Sequence, residues 1–209
     1  TANTEFEVIS GMKLEHFGTG EYPYKSFLKE RASETIGYNL KELQYKTHAI
    51  HNYTAGFYDR NIAYASLGFD TFTSMEYMDN LEYNALGWAK DKVLIEEILA
   101  VLDSTEEKDF VYTVSVQGHG KYPDEVIDEN QAITVMSTDG EESITGYEYY
   151  VNQIKEMDDF IGQLITELSN YPEEVVLVLF GDHLPSLGFT EEDIKTKSLY
   201  KTEYVIWSN

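Results

Sequence analysis

Val175-Val176-Leu177-Val178-Leu179-Phe180-Gly181-Asp182-His183 is the stretch from which the fold is read. Six consecutive apolar residues predict a strand buried on both faces, and such strands belong to parallel sheets with helices on both sides. Gly181 lets the chain turn. Asp182 and His183 then present an oxygen and a nitrogen donor beyond the strand's carboxyl end, where open α/β sheets bind ligands. A carboxylate beside a neutral imidazole suits a divalent ion, manganese or zinc. The structural alternative is an Asp that caps a following helix beside a surface His.

Composition narrows the function classes. A chain of 209 residues, 42% hydrophobic and 25% charged, predicts one globular domain over 1–209. Its net charge of −23 argues against nucleic acid, which needs a basic face, and against docking on an anionic bilayer. An anionic substrate would need a bound cation and a few placed basic groups. With no cysteine, disulfides, thiolate metal sites and cysteine nucleophiles are excluded. No apolar run approaches the roughly 20 residues of a membrane span, and no signal peptide is visible. Residue 1 is Thr, which predicts a processed chain or an excised fragment.

Helical spacing of Phe6 and Ile9 predicts a helix over 3–10, with Asn3 or Thr4 as cap and Gly11 as stop. Residues 18–25 read as loop. Helices are expected over 34–43, 59–67 (closed by Gly68) and 92–102, and strands over 45–51, 110–116 and 204–207. The longest helix, 146–169, should bury Tyr147, Tyr150, Val151, Ile154, Met157, Ile161, Leu164, Ile165 and Leu168 along one face. Strands alternating with helices imply βαβ units on a parallel sheet. Acidic patches at 123–129 and 139–142 read as solvated loops or helix starts.

Several side chains could carry chemistry. His119 sits between Gly118 and Gly120 at a predicted strand end, where its ring could meet a ligand; a loop His in a tight turn is the alternative. His48 reads as structural, and His51 stays open. Arg60 follows Phe57-Tyr58-Asp59, and a planar guanidinium beside aromatics suits phosphate or sulfate; an ion pair with Asp59 or Glu76 is the alternative. Thr1 precedes the first helix, where backbone N–H groups and the macrodipole favour an alkoxide and a phosphate. It could equally be a frayed end or an N-cap. An N-terminal nucleophile hydrolase is disfavoured, because the strand pattern is wrong for stacked antiparallel sheets.

Taken in order, Thr1-Ala2-Asn3-Thr4-Glu5-Phe6-Glu7-Val8, Phe57-Tyr58-Asp59-Arg60, Leu67-Gly68-Phe69-Asp70, Gln117-Gly118-His119-Gly120 and Phe180-Gly181-Asp182-His183-Leu184-Pro185 resemble the catalytic domain of lipoteichoic acid synthase-like phosphoglycerol transferases. That group belongs to the sulfatase and alkaline phosphatase superfamily. The resemblance implies a three-layer α/β/α fold with a mostly parallel sheet, incomplete at both ends. It implies Thr1 as nucleophile and metal ligand, Asp182 and His183 as metal ligands, His119 at the transferred group or leaving oxygen, and Arg60 with Tyr58 at the substrate. The implied cofactor is Mn²⁺ or Mg²⁺, with a further Glu ligand upstream of residue 1. If the chain itself completes the metal shell, Glu5 or Asp70 are the carboxylates to examine. Two departures stand out. Tyr58-Asp59-Arg60 carries an Asp where the family has Asn, and Gly118 replaces the Asn of an Asn-His pair.

The implied reaction is transfer of glycerophosphate from a lipid-linked donor such as phosphatidylglycerol to a polyol-phosphate or glycolipid acceptor. It would take place on the extracellular face of a Gram-positive-type membrane, by a parent whose anchor lies outside this chain. Two rivals remain: a sulfatase or phosphodiesterase on the same fold, and a non-catalytic surface-binding or sensory domain. A sulfatase needs formylglycine from Cys or Ser, which Thr1 cannot supply. Exposed edge strands predict self-association of the fragment.

Overall fold

A computed structural model describes residues 2–127, 132–136 and 144–209. It divides into two compact units, one of residues 1–83 and 89–116, the other of residues 84–88 and 117–209.

The first unit is built on a parallel sheet. Strand β1 (Tyr45–His51) lies between β2 (Thr71–Ser74) and β3 (Lys108–Val114), with His48 opposite Thr71 on one side and Val111 on the other. Every residue of β1 from Thr47 to His51 is buried. Helices α3 (Ile36–Glu42) and α5 (Val93–Leu102) pack on β1, and α5 also covers β3. Helix α4 (Arg60–Ser66) contacts β2 and the short α2 (Phe27–Glu30).

Local sequence explains these elements. Helix α1 (Ala2–Ser10) buries Ala2, Glu5, Phe6 and Ile9, the i, i+3, i+4, i+7 stripe of an amphipathic helix. It begins at Ala2, so Asn3 and Thr4 lie inside its first turn and neither is the cap. It ends at Gly11, whose N–H donates to Glu7 O at 2.9 Å. Thr35 caps α3, accepting from Tyr38 N and donating to Leu67 O at 2.6 Å. Gly68 (φ +91°) closes the turn after α4 with the Tyr38 ring where a Cβ would be.

Polar groups on β1 are buried because each is bonded. Thr47 donates to Gly68 O at 2.8 Å and meets Asp70, which also pairs with Lys41 at 2.6 Å. The His48 ring spans the sheet, with Nδ1 2.7 Å from Thr71 Oγ1 and Nε2 3.0 Å from Asp109 Oδ1. His51 Nδ1 lies 2.8 Å from Val114 O. Around them, Tyr64 packs edge-on against Tyr24, Phe69, Phe72 and Tyr112.

The second unit contains α6 (Thr145–Ser169) and an antiparallel pair, β4 (Val176–Phe180) with β5 (Tyr204–Ser208). The expectation that the Val175–Phe180 run is buried on both faces is corrected here. Val176 is 69% and Val178 50% exposed and no residue of β4 is buried, so the face that carries these alternate residues is open to solvent. The α6 face also differs. It buries Tyr149, Asn152, Gln153, Phe160, Leu164 and Leu168, while Ile154 is exposed. Asn152 is drawn inward by four backbone partners, accepting from Ala132 N and Ile133 N and donating to Ile133 O and Glu148 O. Strand β3 starts at Lys108 and stops at Val114, two residues ahead of the expected 110–116 at each end. The acidic patches at 123–129 and 139–142 fall partly or wholly outside the described residues. Among those described, no helix is long and apolar enough to cross a membrane.

Candidate active site

In the first unit, the chain leaving β1 forms a 3₁₀ turn at Phe57–Asp59 that leads directly into α4. Tyr58 (φ 60°) and Asp59 (φ 57°) are consecutive left-handed residues, a conformation that costs a non-glycine residue roughly 1–2 kcal/mol. The turn stacks the Tyr58 ring edge-on to Phe57, with centroids 4.7 Å apart, and 5.5 Å from the Tyr22 ring. It also brings Tyr58 over the Arg60 guanidinium at 5.5 Å.

Arg60 is buried, and its partner is neither Asp59 nor Glu76. Asp59 pairs with Lys29 at 2.9 Å, and Glu76 accepts from Ala55 N. Arg60 instead gives Nε to Glu5 Oε2 at 3.1 Å, Nη2 to Glu5 Oε1, and Nη1 to Phe57 O at 3.1 Å. Two of its five N–H groups are outside these three bonds. Glu5 also accepts from Tyr64 Oη at 2.8 Å and Tyr24 Oη at 3.3 Å. Burial disfavours the Arg60 charge, but Glu5 outweighs it and raises the guanidinium pKa above its ordinary value. Burial first, and the Glu5 charge second, push both tyrosine hydroxyls well above theirs. Glu5 and Asp70, weighed earlier for a metal shell, are therefore committed elsewhere: Glu5 to Arg60, and Asp70 to Lys41 and Thr47 just ahead of β2. Thr1 lies outside the described residues; the chain is described from Ala2, the fully buried first residue of α1.

In the second unit, Gly181 and the two residues after it leave β4 in a turn held by Gly181 N donating to Thr202 Oγ1 at 3.1 Å. His183 Nδ1 lies 2.7 Å from Leu184 O, so its N–H is placed there and the Nε2 lone pair is left outward. That Nε2 is 3.7 Å from Asp182 Oδ2, a separation one ion about 2.1 Å from each donor can span. The His119 ring stands 6.1 Å from the His183 ring and 4.7 Å from Trp88. His119 Nδ1 contacts Gly120 O at 2.5 Å. The structure thus brings His119, Asp182 and His183 together.

Asn84, Gln117 and Gln153 support this group, and the sequence reading passed over the first and the last. Asn84 Oδ1 accepts from Leu86 N and Trp88 N at 3.0 Å, which shapes the Trp88 loop. Its Nδ2 reaches Gln153 Oε1 at 3.1 Å, and Gln117 Nε2 reaches the same oxygen at 3.1 Å and Glu156 at 2.7 Å. Local sequence held no signal for Gln153, which lies off the expected apolar stripe of α6 and is buried with Asn152. Beyond His119, Lys121, Tyr122, Gly146, Tyr147 and Ser186 line a cavity of about 410 Å³.

Asp182 and His183 fit a divalent ion in donor chemistry, a carboxylate oxygen 3.7 Å from an imidazole nitrogen. Among the described residues no group of three or more His, Cys, Asp or Glu converges on a metal position. Two donors are one short of the usual catalytic minimum.

Comparison with known proteins gives the context. The family model described as Sulfatase matches residues 1–209. A Rhizobium meliloti protein named for cyclic beta-1,2-glucan modification is 31% identical over the whole of this chain, which covers 35% of that protein. Among solved structures, the phosphoglycerol transferase GacH of Streptococcus pyogenes, in complex with sn-glycerol-1-phosphate, superposes with a TM-score of 0.81 at 22% identity, over 99% of this chain and 55% of that one. The lipoteichoic acid synthase LtaP of Listeria monocytogenes gives 0.78 at 20% identity, over 98% and 52%. The chain therefore spans about a third of that curated relative and about half of the solved neighbours.

Proposed function

Because this chain belongs to the sulfatase family, within the alkaline phosphatase superfamily and its transferases and hydrolases, we propose that it is the part of a phosphoglycerol transferase that carries the Thr1 nucleophile. The observation that carries the reading is the Asp182–His183 pair with His119 beside it, two metal donors next to an acid–base group. Phosphatidylglycerol is the proposed donor. The acceptor is a hydroxyl on a polyol phosphate or a glycan, and the relative named for glucan modification favours the glycan.

Thr1, Asp182 and His183 would hold a divalent cation, Mn²⁺ or Mg²⁺, with one further carboxylate from outside the chain. When bound, that cation lowers the pKa of the threonine hydroxyl and polarises the phosphoryl oxygen. In the first step the Thr1 alkoxide forms a bond to phosphorus, and the bond to diacylglycerol breaks. His119, as imidazolium, passes its proton to the departing oxygen. In the second step the acceptor oxygen attacks the glycerophospho-threonine, its proton returns to His119, and the Thr1 oxygen leaves as alkoxide. Arg60, through the two N–H groups not used by Glu5 and Phe57, and Tyr58 beside it hold the phosphate. The reaction belongs on the outer face of a bacterial membrane, where both lipid donor and glycan acceptor are exposed.

The test uses the full-length protein. With phosphatidylglycerol vesicles and no acceptor, intact-mass analysis should find a glycerophosphoryl adduct on the Thr1 peptide. Thr1→Ala should lose both adduct and turnover while folding normally, since a change at a helix start costs only about 1 kcal/mol. Turnover indifferent to Thr1→Ala would leave a water-attack phosphodiesterase or a binding module as the better account.

A further inference from the structure

Glu5 is a buried titratable group with several partners and no part in the chemistry above. It lies in the first turn of α1, is 2% exposed, and gathers four donor contacts from residues far apart in sequence. Two come from the Arg60 guanidinium, one from Tyr64 on α4, and one from Tyr24 ahead of α2. Stability alone does not call for this arrangement, because well-packed apolar residues replace buried ion pairs without loss in many proteins. Apolar packing is non-directional, however, whereas a carboxylate with four aimed donors fixes position and orientation together. Two groups placed at the phosphate in the proposed reaction, the chain entering α1 and the Arg60 guanidinium, meet at this one side chain.

We propose that Glu5 is a positioning residue for phosphoryl transfer: its carboxylate ties the first turn of α1, which follows Thr1, to the Arg60 guanidinium, with Tyr24 and Tyr64 holding it in place. This rests on Thr1 as nucleophile. Glu5 also balances the charge of Arg60. Removing its charge therefore has two opposite effects: the phosphate meets a stronger cation, and the nucleophile loses its alignment.

The experiment is steady-state kinetics of the full-length protein with phosphatidylglycerol vesicles, normalised to folded protein by circular dichroism, for wild type, Thr1→Ala and Glu5→Gln. Glu5→Gln should lower kcat by about tenfold or more, since misplacements near 1 Å cost on the order of 10²-fold, while KM stays level or falls. A purely structural role would leave kcat per folded molecule unchanged. If Glu5→Gln does not fold, Tyr64→Phe and Tyr24→Phe each remove one donor and keep the ring, and each should lower kcat with KM unchanged. Wild-type kcat in the folded variants, or a rise in KM alone, overturns the positioning role. An active Thr1→Ala overturns the nucleophile reading instead, so the two failures are distinguishable.

Discussion

Replacing Arg60 by Met leaves the Glu5 carboxylate in an apolar interior with two tyrosine hydroxyls as its remaining donors. Both partners are almost completely buried, at 2% and 3% exposure. Stranding one member of such a pair costs about 3–5 kcal/mol. In a chain of this size each kcal/mol moves Tm by about 2–4 °C, so Arg60→Met should melt roughly 6–20 °C below wild type. The double variant Glu5→Leu/Arg60→Met removes both charges and should recover most of that loss. The sign with pH also follows. Arg60 has its folded pKa raised above its unfolded value, so its contribution is complete below the unfolded value and lost only as pH rises through the folded one. Both lie above the range where proteins are handled, so Arg60 keeps its charge in the wild-type protein at pH 6 and pH 9 alike. Urea denaturation of the four members of the cycle measures the coupling directly. A cost below about 1 kcal/mol for Arg60→Met, or additive losses in the double variant, would refute the coupling.

Two further outcomes are expected. Asp70→Asn should cost more stability at pH 7 than at pH 2: burial resists ionisation of Asp70, yet its bonds with Lys41 and Thr47 outweigh burial and hold its pKa below the usual range. Its contribution is therefore present above the unfolded value near 3.9 and lost as pH falls through the lower folded value, which denaturation curves at the two pH values will compare. Gly37→Ala in α3 should lower Tm although alanine favours helix by about 1 kcal/mol, because the new Cβ would stand 2.9 Å from Leu67 O; a rise in Tm would show that α3 can shift away.

Element positions were largely legible, since helix stripes and stop signals such as Gly11 and Gly68 act locally. Burial was not. The apolar run of β4 looks like a central strand, yet it has one neighbour and an open face. The strand that is buried from Thr47 to His51 carries three polar side chains there, Thr47, His48 and His51, and their burial depends on partners from the chain around β2 and from β3. On α6 the apolar spacing misplaced the buried face for the same reason: Asn152 and Gln153 are inside because distant groups satisfy them. Glycines and a strand end mark His119, Asp182 and His183 locally, and the structure sets them near one another. The Glu5–Arg60 pair was missed because its two halves lie 55 residues apart.

The His48 imidazole has a mechanical consequence. Its two nitrogens are held by side chains on the strands to its left and right, so one rigid ring acts as a crossbar over three strands. Sliding either outer strand by a single residue would point Thr71 or Asp109 to the opposite face and sever the bar on that side. Alignment of the sheet is thus written in side-chain chemistry as well as in the backbone ladder. The loops beyond its carboxyl ends can then change in length or composition without setting the strands adrift.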